Sequence, residues 1–383
     1  MIDATSGVYG FDPGRFLPAS RPPRILCVRL SALGDVVNAL PAAAAIRAAF
    51  PGAFIGWLVE TGSAALPAMH PGVDRVFVLD RKRAFGAIAA PWRMPGAAGA
   101  LLRLFRGIRR EGFDAALDFQ GNFRSALATF LCGAVARIGF SSPRAREGSW
   151  LSYGVRVEPK PGLHRLEQNL ALLSGLGLPP ATQPRFDALR IPGPEREAAR
   201  LGLAAAAPGA RGIAFMHPGA SAFGDFKRWD PERFGRTAAG IRERLGLSVL
   251  VTRGPGEEPL AAAVAAASGG AAIVAPETPS LERLAALLSE GSLFVGGDTG
   301  PTHLAAALGV PTVAVFGPKD PKIYAPRGVR VEVVRKDVPC APCRKRACDH
   351  LTCLRALEPG SVIEACVRLA SQVSSPPAPP PAG

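Results

Sequence analysis

The stretch FVGGDTGPTHLAAALGVPTVAVFGP, residues 294–318, contains an apolar run, a polar glycine-rich loop, an alanine-rich segment and a second apolar run. Two apolar runs of strand length on either side of a helix predict parallel strands joined by a right-handed crossover. Pro301 suits the first turn of that helix, because its missing N–H is not needed there. The stretch therefore predicts an α/β unit with a polar loop at the carboxyl edge of its sheet.

Similar apolar runs alternate with helical segments on both sides of this stretch. In the second half they lie at 213–217, 248–252, 272–274, 293–295 and 312–316, and in the first half at 24–30, 54–59, 76–79 and 115–119. Two successive strand–helix series predict an α/β chain of two facing, doubly wound, Rossmann-like domains. We expect a flexible extension at 1–22, domains at 23–190 and 191–358, a helix at 359–373 and a disordered proline-rich tail at 374–383.

The charge distribution bears on the partners. The net charge is +14, with +10 carried by residues 1–190 and +4 by residues 191–383. A basic first half is typical of proteins that bind a polyanion. An arginine-rich composition that only aids solubility gives the same excess of positive charge. No apolar run is long enough to span a bilayer and the first residues do not form a signal peptide, so we expect a cytoplasmic protein.

The loop GGDTGPTH predicts an anion-binding site. Gly300 lets the backbone approach a ligand closely, and the N–H groups at the start of a helix attract negative charge. Thr299 and Thr302 add hydroxyl groups, and His303 lies one turn further along. The alternative is a capped helix with Asp298 or Thr299 as the N-cap and a merely packed His303.

Two further loops follow the first strand of each half. In the second half the loop contains Ser221 and Lys227, and the lysine is either a phosphate contact or a solvated surface residue. In the first half the turn SALGD ends in Asp35, which is either a general base or a helix N-cap. That turn lacks GxGxxG, which disfavours a nicotinamide-dependent oxidoreductase.

Four cysteines lie within fourteen residues, at Cys340, Cys343, Cys348 and Cys353. Their spacing resembles a structural zinc knuckle without matching the usual ligand pairs. Reduced thiols and a redox-labile disulfide are the alternatives, and zinc is not the favoured interpretation.

Several segments in order resemble the bacterial lipopolysaccharide heptosyltransferases of glycosyltransferase family 9. They are RLSALGDVVNALPAAAAIRAAFP, WLVE, HPGVDRV, DFQGNFRSA, HPGASAFGDFKRWDPERF and GGDTGPTHLAAALGVPTVAVFGPKDP. The resemblance covers nearly the whole chain, and the last segment is the most specific. The first half is closer to first-heptose enzymes, whereas the cysteines also occur in second-heptose enzymes.

The resemblance implies a GT-B fold and an inverting transfer of heptose from ADP-L-glycero-D-manno-heptose to the lipopolysaccharide inner core, onto a Kdo-lipid A or first-heptose acceptor. It implies no metal or cofactor for transfer. It places the base at Asp35, the phosphate contact at Lys227, and donor contacts at Asp298, Thr299, Gly300 and His303, with Glu257 on the nucleoside side. We add Ser221 and Thr302 as donor contacts.

Such an enzyme is expected to work at the inner face of the inner membrane, in peripheral contact with anionic lipid. Arg124, Arg144 and Arg146 are candidates for binding a phosphorylated acceptor, and closure of the two domains is expected to assemble the site.

Three alternatives remain from the sequence. They are a sugar-nucleotide epimerase of GT-B-like fold, a transferase of the same family with another cell-surface acceptor, and a nucleic-acid binder. The last is disfavoured because no basic run is interleaved with aromatic residues.

Overall fold

In the computed structural model the chain divides into two compact units, residues 1–190 and 191–383. The structure describes residues 2–3, 8–9, 13–81, 94–179, 186–220, 224–343, 345 and 347–373. Each unit contains its own parallel sheet covered by helices.

The first unit contains eight strands and six α-helices among its described residues. The strands are β1 (Ile2–Asp3), β2 (Val8–Tyr9), β3 (Arg24–Val28), β4 (Phe54–Glu60), β5 (Arg75–Leu79), β6 (Ala115–Asp118), β7 (Ala136–Phe140) and β8 (Val155–Val157). The helices are α1 (Leu33–Val37), α2 (Leu40–Ala49), α3 (Ala65–Met69), α4 (Met94–Arg110), α5 (Phe123–Leu131) and α6 (Arg165–Ala171). Short 3₁₀ helices lie at Pro13–Arg15, Thr61–Ser63, Ser149–Ser152 and Leu172–Leu176.

The sheet of the first unit has the order β1-β2-β8-β7-β6-β3-β4-β5. Strands β3 to β8 run parallel to one another, and β1 and β2 add an antiparallel edge next to β8. The chain runs outward from β3 through β4 to β5 and then returns to β6 on the other side of β3. The strand order therefore reverses between β3 and β6, and the loops after these two strands border the same crevice.

The second unit contains six strands and eight α-helices among its described residues. The strands are β9 (Ile213–His217), β10 (Ser248–Val251), β11 (Ala272–Val274), β12 (Leu293–Gly297), β13 (Thr312–Phe316) and β14 (Val331–Arg335). The helices are α7 (Gly193–Ala206), α8 (Pro231–Leu245), α9 (Glu258–Ala267), α10 (Leu281–Ser289), α11 (Gly300–Ala307), α12 (Pro321–Tyr324), α13 (Thr352–Arg355) and α14 (Pro359–Val373), with a 3₁₀ turn at Asp225–Lys227.

The second sheet is parallel throughout its described strands, in the order β11-β10-β9-β12-β13-β14. Its order reverses between β9 and β12, so the loops that contain Lys227 and Asp298 follow the two strands at the switch point. Trp229 is buried in the core beneath this edge and packs edge-on against Phe234 with ring centroids 5.0 Å apart.

The C-terminal helix α14 is part of the second core. Val362, Ala365, Cys366 and Leu369 are buried in the same cluster as Trp229. Gly240 of α8 permits the close approach, because a Cβ there would lie 2.3 Å from the Ile363 side chain.

The start of the chain differs from the expected loose extension. Among residues 1–22 the structure describes strands β1 and β2, and β2 pairs with β8 through Val8 and Tyr9. The expected tail at 374–383 lies outside the described residues. No helix among the described residues has the length and apolar character needed to cross a bilayer.

Candidate functional site

The switch point of the second unit places Lys227 and Asp298 together. The Lys227 Nζ lies 2.5 Å from Oδ2 of Asp298, and both side chains are largely buried. Burial alone raises the pKa of Asp298, but the nearby His303 ring and the charge of Lys227 outweigh it and hold that pKa below its ordinary value. Asp298 is therefore ionised at neutral pH and fixes the lysine ammonium at the carboxyl edge of the sheet.

The same aspartate meets the helix that follows. The Nε2 of His303 lies 3.8 Å from Oδ1 of Asp298, and the Nδ1 of this buried ring has no hydrogen-bond partner. A buried polar atom without a partner is costly, so the position suits a group that receives its partner from a ligand. Lys227 is thus a paired, largely buried residue and not a solvated surface lysine. The role of His303 as a donor contact stays a prediction.

The start of α11 is shaped by glycine and threonine. Thr299 is the N-cap residue, but its side chain makes no capping hydrogen bond. Its hydroxyl instead lies 3.1 Å from that of Thr302, which donates to the Gly297 carbonyl at 2.6 Å. Gly300 is the first helical residue. The helix start therefore presents backbone N–H groups and a positive dipole end that no N-cap side chain satisfies.

Glu257 follows β10 and lies against the end of β9, one of the two switch-point strands. Its Oε2 accepts a hydrogen bond from the Gly254 N–H at 2.7 Å and lies 3.6 Å from Nε2 of His217. A Cβ at Gly219 would lie 2.2 Å from this carboxylate, so the glycine is what makes room for it. His217 pairs with Gly296 across β9 and β12, which joins this group to the loop before α11.

Sequence reasoning missed His217 and Lys319. Burial lowers the pKa of His217, against the opposing effect of Glu257, so the ring is neutral at neutral pH. Lys319 follows β13 and lies over the Phe226 ring, with Nζ 5.6 Å from the centroid. Both residues lie at strand ends within the quoted motifs, and this position could have identified them as candidate site residues. Ser221 lies outside the described residues.

The switch point of the first unit holds Asp35 in an ion pair. The Nη2 of Arg29 lies 2.5 Å from Oδ2 of Asp35, while its Nη1 donates to the Phe119 carbonyl at 2.7 Å. Ala32 is the N-cap of α1, so the alternative role of Asp35 as an N-cap is wrong. Arg29 is a buried partner that sequence reasoning also missed.

Residues of the segment DFQG hold this turn in place. The Gln120 Oε1 accepts hydrogen bonds from the Leu30 and Ser31 N–H groups at 3.0 and 3.3 Å. Asp118 is fully buried and accepts from the Tyr153 hydroxyl at 2.7 Å, and burial raises the pKa of its carboxyl. The β6 loop is thereby tied to the β3 loop that contains Asp35.

Of the three arginines predicted to bind an acceptor, Arg144 lies in this cluster. Burial, reinforced by Arg165 and Arg29 and opposed by Asp35, lowers the pKa of Arg144 to about 9. Arg146 is exposed and also acts on the Arg144 charge. Arg124 instead pairs with Glu60 at the end of β4, at 3.3 Å.

The four clustered cysteines line one pocket of the second unit, next to Phe226 and Pro318. All are free thiols, and burial followed by the other three sulfurs raises the pKa of Cys353. Across the part of the chain that the structure describes, no three His, Cys, Asp or Glu side chains are placed to share one metal ion. The expectation that transfer needs no cofactor does not depend on this cluster.

Comparison with known proteins defines the class. The chain is 33% identical over 336 residues to lipopolysaccharide heptosyltransferase 1 of Pseudomonas aeruginosa, covering 85% of this chain and 88% of the relative. The structure of E. coli heptosyltransferase WaaC with ADP matches with a TM-score of 0.72 and 26% identity, over 90% of this chain and 99% of that one. WaaC with ADP-2-deoxy-2-fluoro heptose matches with a TM-score of 0.67 and 26% identity, over 92% and 100%.

These matches and the two doubly wound units place the protein among the glycosyltransferases of GT-B fold, which confirms the predicted fold class. Residues 101–353 match the family described as glycosyltransferase family 9 (heptosyltransferase). The chain belongs to this family, as its motifs predicted. The alternatives of an epimerase and a nucleic-acid binder lose their support.

Proposed function

We propose that this enzyme transfers heptose from ADP-L-glycero-D-manno-heptose to the inner core of lipopolysaccharide, with inversion at the anomeric carbon. One observation carries the donor assignment: Lys227, held by Asp298, lies at the same switch point as the start of α11, which no N-cap side chain satisfies. A fixed cation together with a helix dipole suits a diphosphate. The relatives named for heptose transfer and the WaaC complexes with ADP and an ADP-heptose analogue support the same donor.

The proposed step uses an acid–base group from the first unit and an electrostatic site from the second. Asp35 takes the proton of the acceptor hydroxyl while that oxygen forms a bond to the anomeric carbon. The bond from this carbon to the diphosphate oxygen breaks, and its electron pair leaves with ADP. Lys227 and the amides of Gly300 and Thr302 stabilise the charge that develops on the diphosphate.

Arg29 supports the base role of Asp35. Its guanidinium, fixed by the Phe119 carbonyl, holds the carboxylate in one orientation. Glu257 and Ser221 are proposed to contact the nucleoside side of the donor, and Thr299 and His303 the diphosphate.

The acceptor is proposed to be an anionic lipid A derivative that carries Kdo, as expected for addition of the first heptose. Arg144 and Arg146 support this assignment, because positive charge is concentrated beside Asp35 and the burial of Arg144 leaves its charge poorly solvated. A phosphate or carboxylate would offset that cost. Peripheral contact with the inner-membrane face places the enzyme near such a lipid.

Product analysis tests the function. Mass spectrometry should show one added heptose on Kdo-lipid A when ADP-heptose is supplied. Addition only to a heptose-bearing acceptor would assign the second position, and addition to neither would favour another cell-surface acceptor.

Two variants test the roles of the site residues. Asp35→Asn should lower kcat by about 10²–10⁴-fold, as for loss of a general base, with little change in ADP affinity.

Lys227→Ala should lower kcat by about 10²–10³-fold, as for loss of an electrostatic donor, and should weaken ADP binding as well. Lys322→Ala, at an exposed lysine of α12, is the matched control. Turnover like that of the wild type in either variant would remove that residue from its role.

A further inference from the structure

Helix α5 exposes an apolar face. Phe123, Leu127 and Phe130 lie at spacings of four and three residues and are 59%, 44% and 53% exposed. The opposite positions, which include Ser125, Ala126, Ala128 and Thr129, are buried. A surface helix normally presents polar side chains on its outer face, so three large apolar residues there indicate a surface that another phase or molecule covers.

A fourth apolar residue extends this face. Leu151 is 75% exposed and lies in the 3₁₀ turn Ser149–Ser152, which packs on α5. Arg137 connects the two elements, because its guanidinium lies 5.3 Å from the Phe130 ring centroid and its Nε donates to the Ser152 carbonyl at 2.8 Å. The four residues Phe123, Leu127, Phe130 and Leu151 are called the α5 face below.

A cationic helix, α4, meets the end of α5 with its own C-terminal end. Helix α4 contains four arginines and no acidic residue, at Arg103, Arg106, Arg109 and Arg110, and all four are exposed. Arg109 Nε donates to the Leu131 carbonyl at 3.0 Å, so the end of α4 meets the end of α5. Both helices also bury their inner sides in one core cluster, through Ile108 and Ala128, which places them on the same side of the sheet.

Apolar side chains next to several arginines match the chemistry of an anionic bilayer. Exposed aromatic and leucine side chains enter the interfacial region, while arginines bind the phosphates of the headgroups. A protein partner or a second copy of the chain would need acidic side chains opposite the arginines of α4. An anionic bilayer supplies that negative charge through its headgroups. Glu147, an acidic side chain at the α5 face, accepts a hydrogen bond from the Phe123 N–H at 3.1 Å.

We propose that the α5 face and the arginines of α4 form the surface by which this enzyme docks on a membrane that contains anionic phospholipid. The inference rests on the peripheral membrane contact in the proposed function and assigns it to named residues. It does not depend on which sugar is transferred.

Vesicle co-sedimentation of the full chain tests the proposal. The wild type should bind vesicles of equal parts phosphatidylcholine and phosphatidylglycerol and should bind phosphatidylcholine alone much more weakly. The variant Leu127→Ser with Phe130→Ser should lose binding to the anionic vesicles by about tenfold or more, because it removes apolar area from the interface. Leu201→Ser is the matched control, since Leu201 is an exposed leucine (63%) on α7 of the other unit.

The charge contribution is tested separately with Arg106→Gln and Arg110→Gln together. This variant should also lose about tenfold or more in binding to anionic vesicles and show a weaker dependence on salt. Turnover with a water-soluble acceptor fragment should match the wild type in both double variants, which separates loss of docking from loss of catalysis or folding.

Three results would overturn the proposal. The first is a wild type that does not sediment with anionic vesicles. The second is unchanged vesicle binding in either double variant. The third is a concentration-dependent dimer in sedimentation equilibrium that Leu127→Ser with Phe130→Ser abolishes, because the α5 face would then join two copies.

Discussion

His70 shows how one buried side chain ties stability to pH. The ring is 2% exposed and its Nδ1 accepts a hydrogen bond from the Gly72 N–H at 3.1 Å. Burial, opposed by Asp187, lowers the pKa of His70 to about 4 from 6.5. The unfolded chain therefore binds a proton below about pH 6.5, whereas the folded chain does not until about pH 4.

The sign of the effect follows from these two values. The stability contributed by neutral His70 is complete above pH 6.5 and is lost as the pH falls toward 4. Its size is about 3 kcal/mol across that window, at about 1.4 kcal/mol per pKa unit. His70→Asn keeps a hydrogen-bond acceptor near Gly72 but does not titrate, so its free energy of unfolding should fall less between pH 7 and pH 4.5.

Urea unfolding of both proteins at the two pH values measures this difference. His350→Asn, at an exposed histidine, is the control and should behave like the wild type. Parallel pH profiles for the wild type and His70→Asn would mean that folding does not change the pKa of His70.

Some residues of the candidate site were predicted from the sequence, and others were not. Lys227, Asp298 and His303 were predicted as one group from strand-end positions, and the structure brings them together. The pairing of Arg29 with Asp35 was not predicted, because it depends on the Phe119 carbonyl about ninety residues away in sequence. Burial of an arginine is a property of its surroundings, which local sequence does not encode.

At the scale of elements, the junction between β12 and α11 depends on the size of one residue. A Cβ at Gly296 would lie 2.7 Å from the Thr302 hydroxyl and 2.8 Å from the Phe294 ring. A Cβ at Gly297 would meet nothing closer than 3.6 Å. Packing therefore requires glycine at position 296 but not at position 297, so a substitution at Gly297 is a matched control for one at Gly296.

Gly296→Ala should displace Thr302 and with it the first turn of α11. Because the helix start is the proposed diphosphate site, ADP affinity should fall by about tenfold or more, the equivalent of one hydrogen bond or slightly more. Gly297→Ala should bind ADP like the wild type. Isothermal titration calorimetry with ADP compares the three proteins, and equal losses in both variants would show that the chain here needs glycine for another reason.

Element prediction succeeded where apolar runs are uninterrupted and failed where a charged residue interrupts them. The central strands β9, β12 and β13 are fully buried and were recognised from continuous apolar residues. Strands β7, β8 and β14 were missed. Each interrupts its apolar residues with arginine or glutamate, and β14 is half-exposed at the edge of its sheet, so their sequences resemble loops.

At the scale of the whole molecule, the donor residues belong to one unit and the proposed base to the other. Lys227, Asp298, His303 and Glu257 all lie in residues 191–383, which have their own core, whereas Asp35 lies in residues 1–190. ADP contacts are therefore expected from the second unit alone. A ligand stabilises the folded form that binds it, by about 2.7 kcal/mol at a concentration of 100 Kd.

Hydrogen exchange of the full chain with and without saturating ADP should show where this stabilisation acts. Protection should increase in β9, β12 and the start of α11, and change little in β3 and β6 of the first unit, because opening of those strands does not destroy the ADP contacts. Asp35→Asn should give the same pattern as the wild type, since Asp35 is assigned to the acceptor. Equal protection of β3, β6, β9 and β12 by ADP would mean that the two units open together. Loss of the pattern in Asp35→Asn would place Asp35 among the donor contacts.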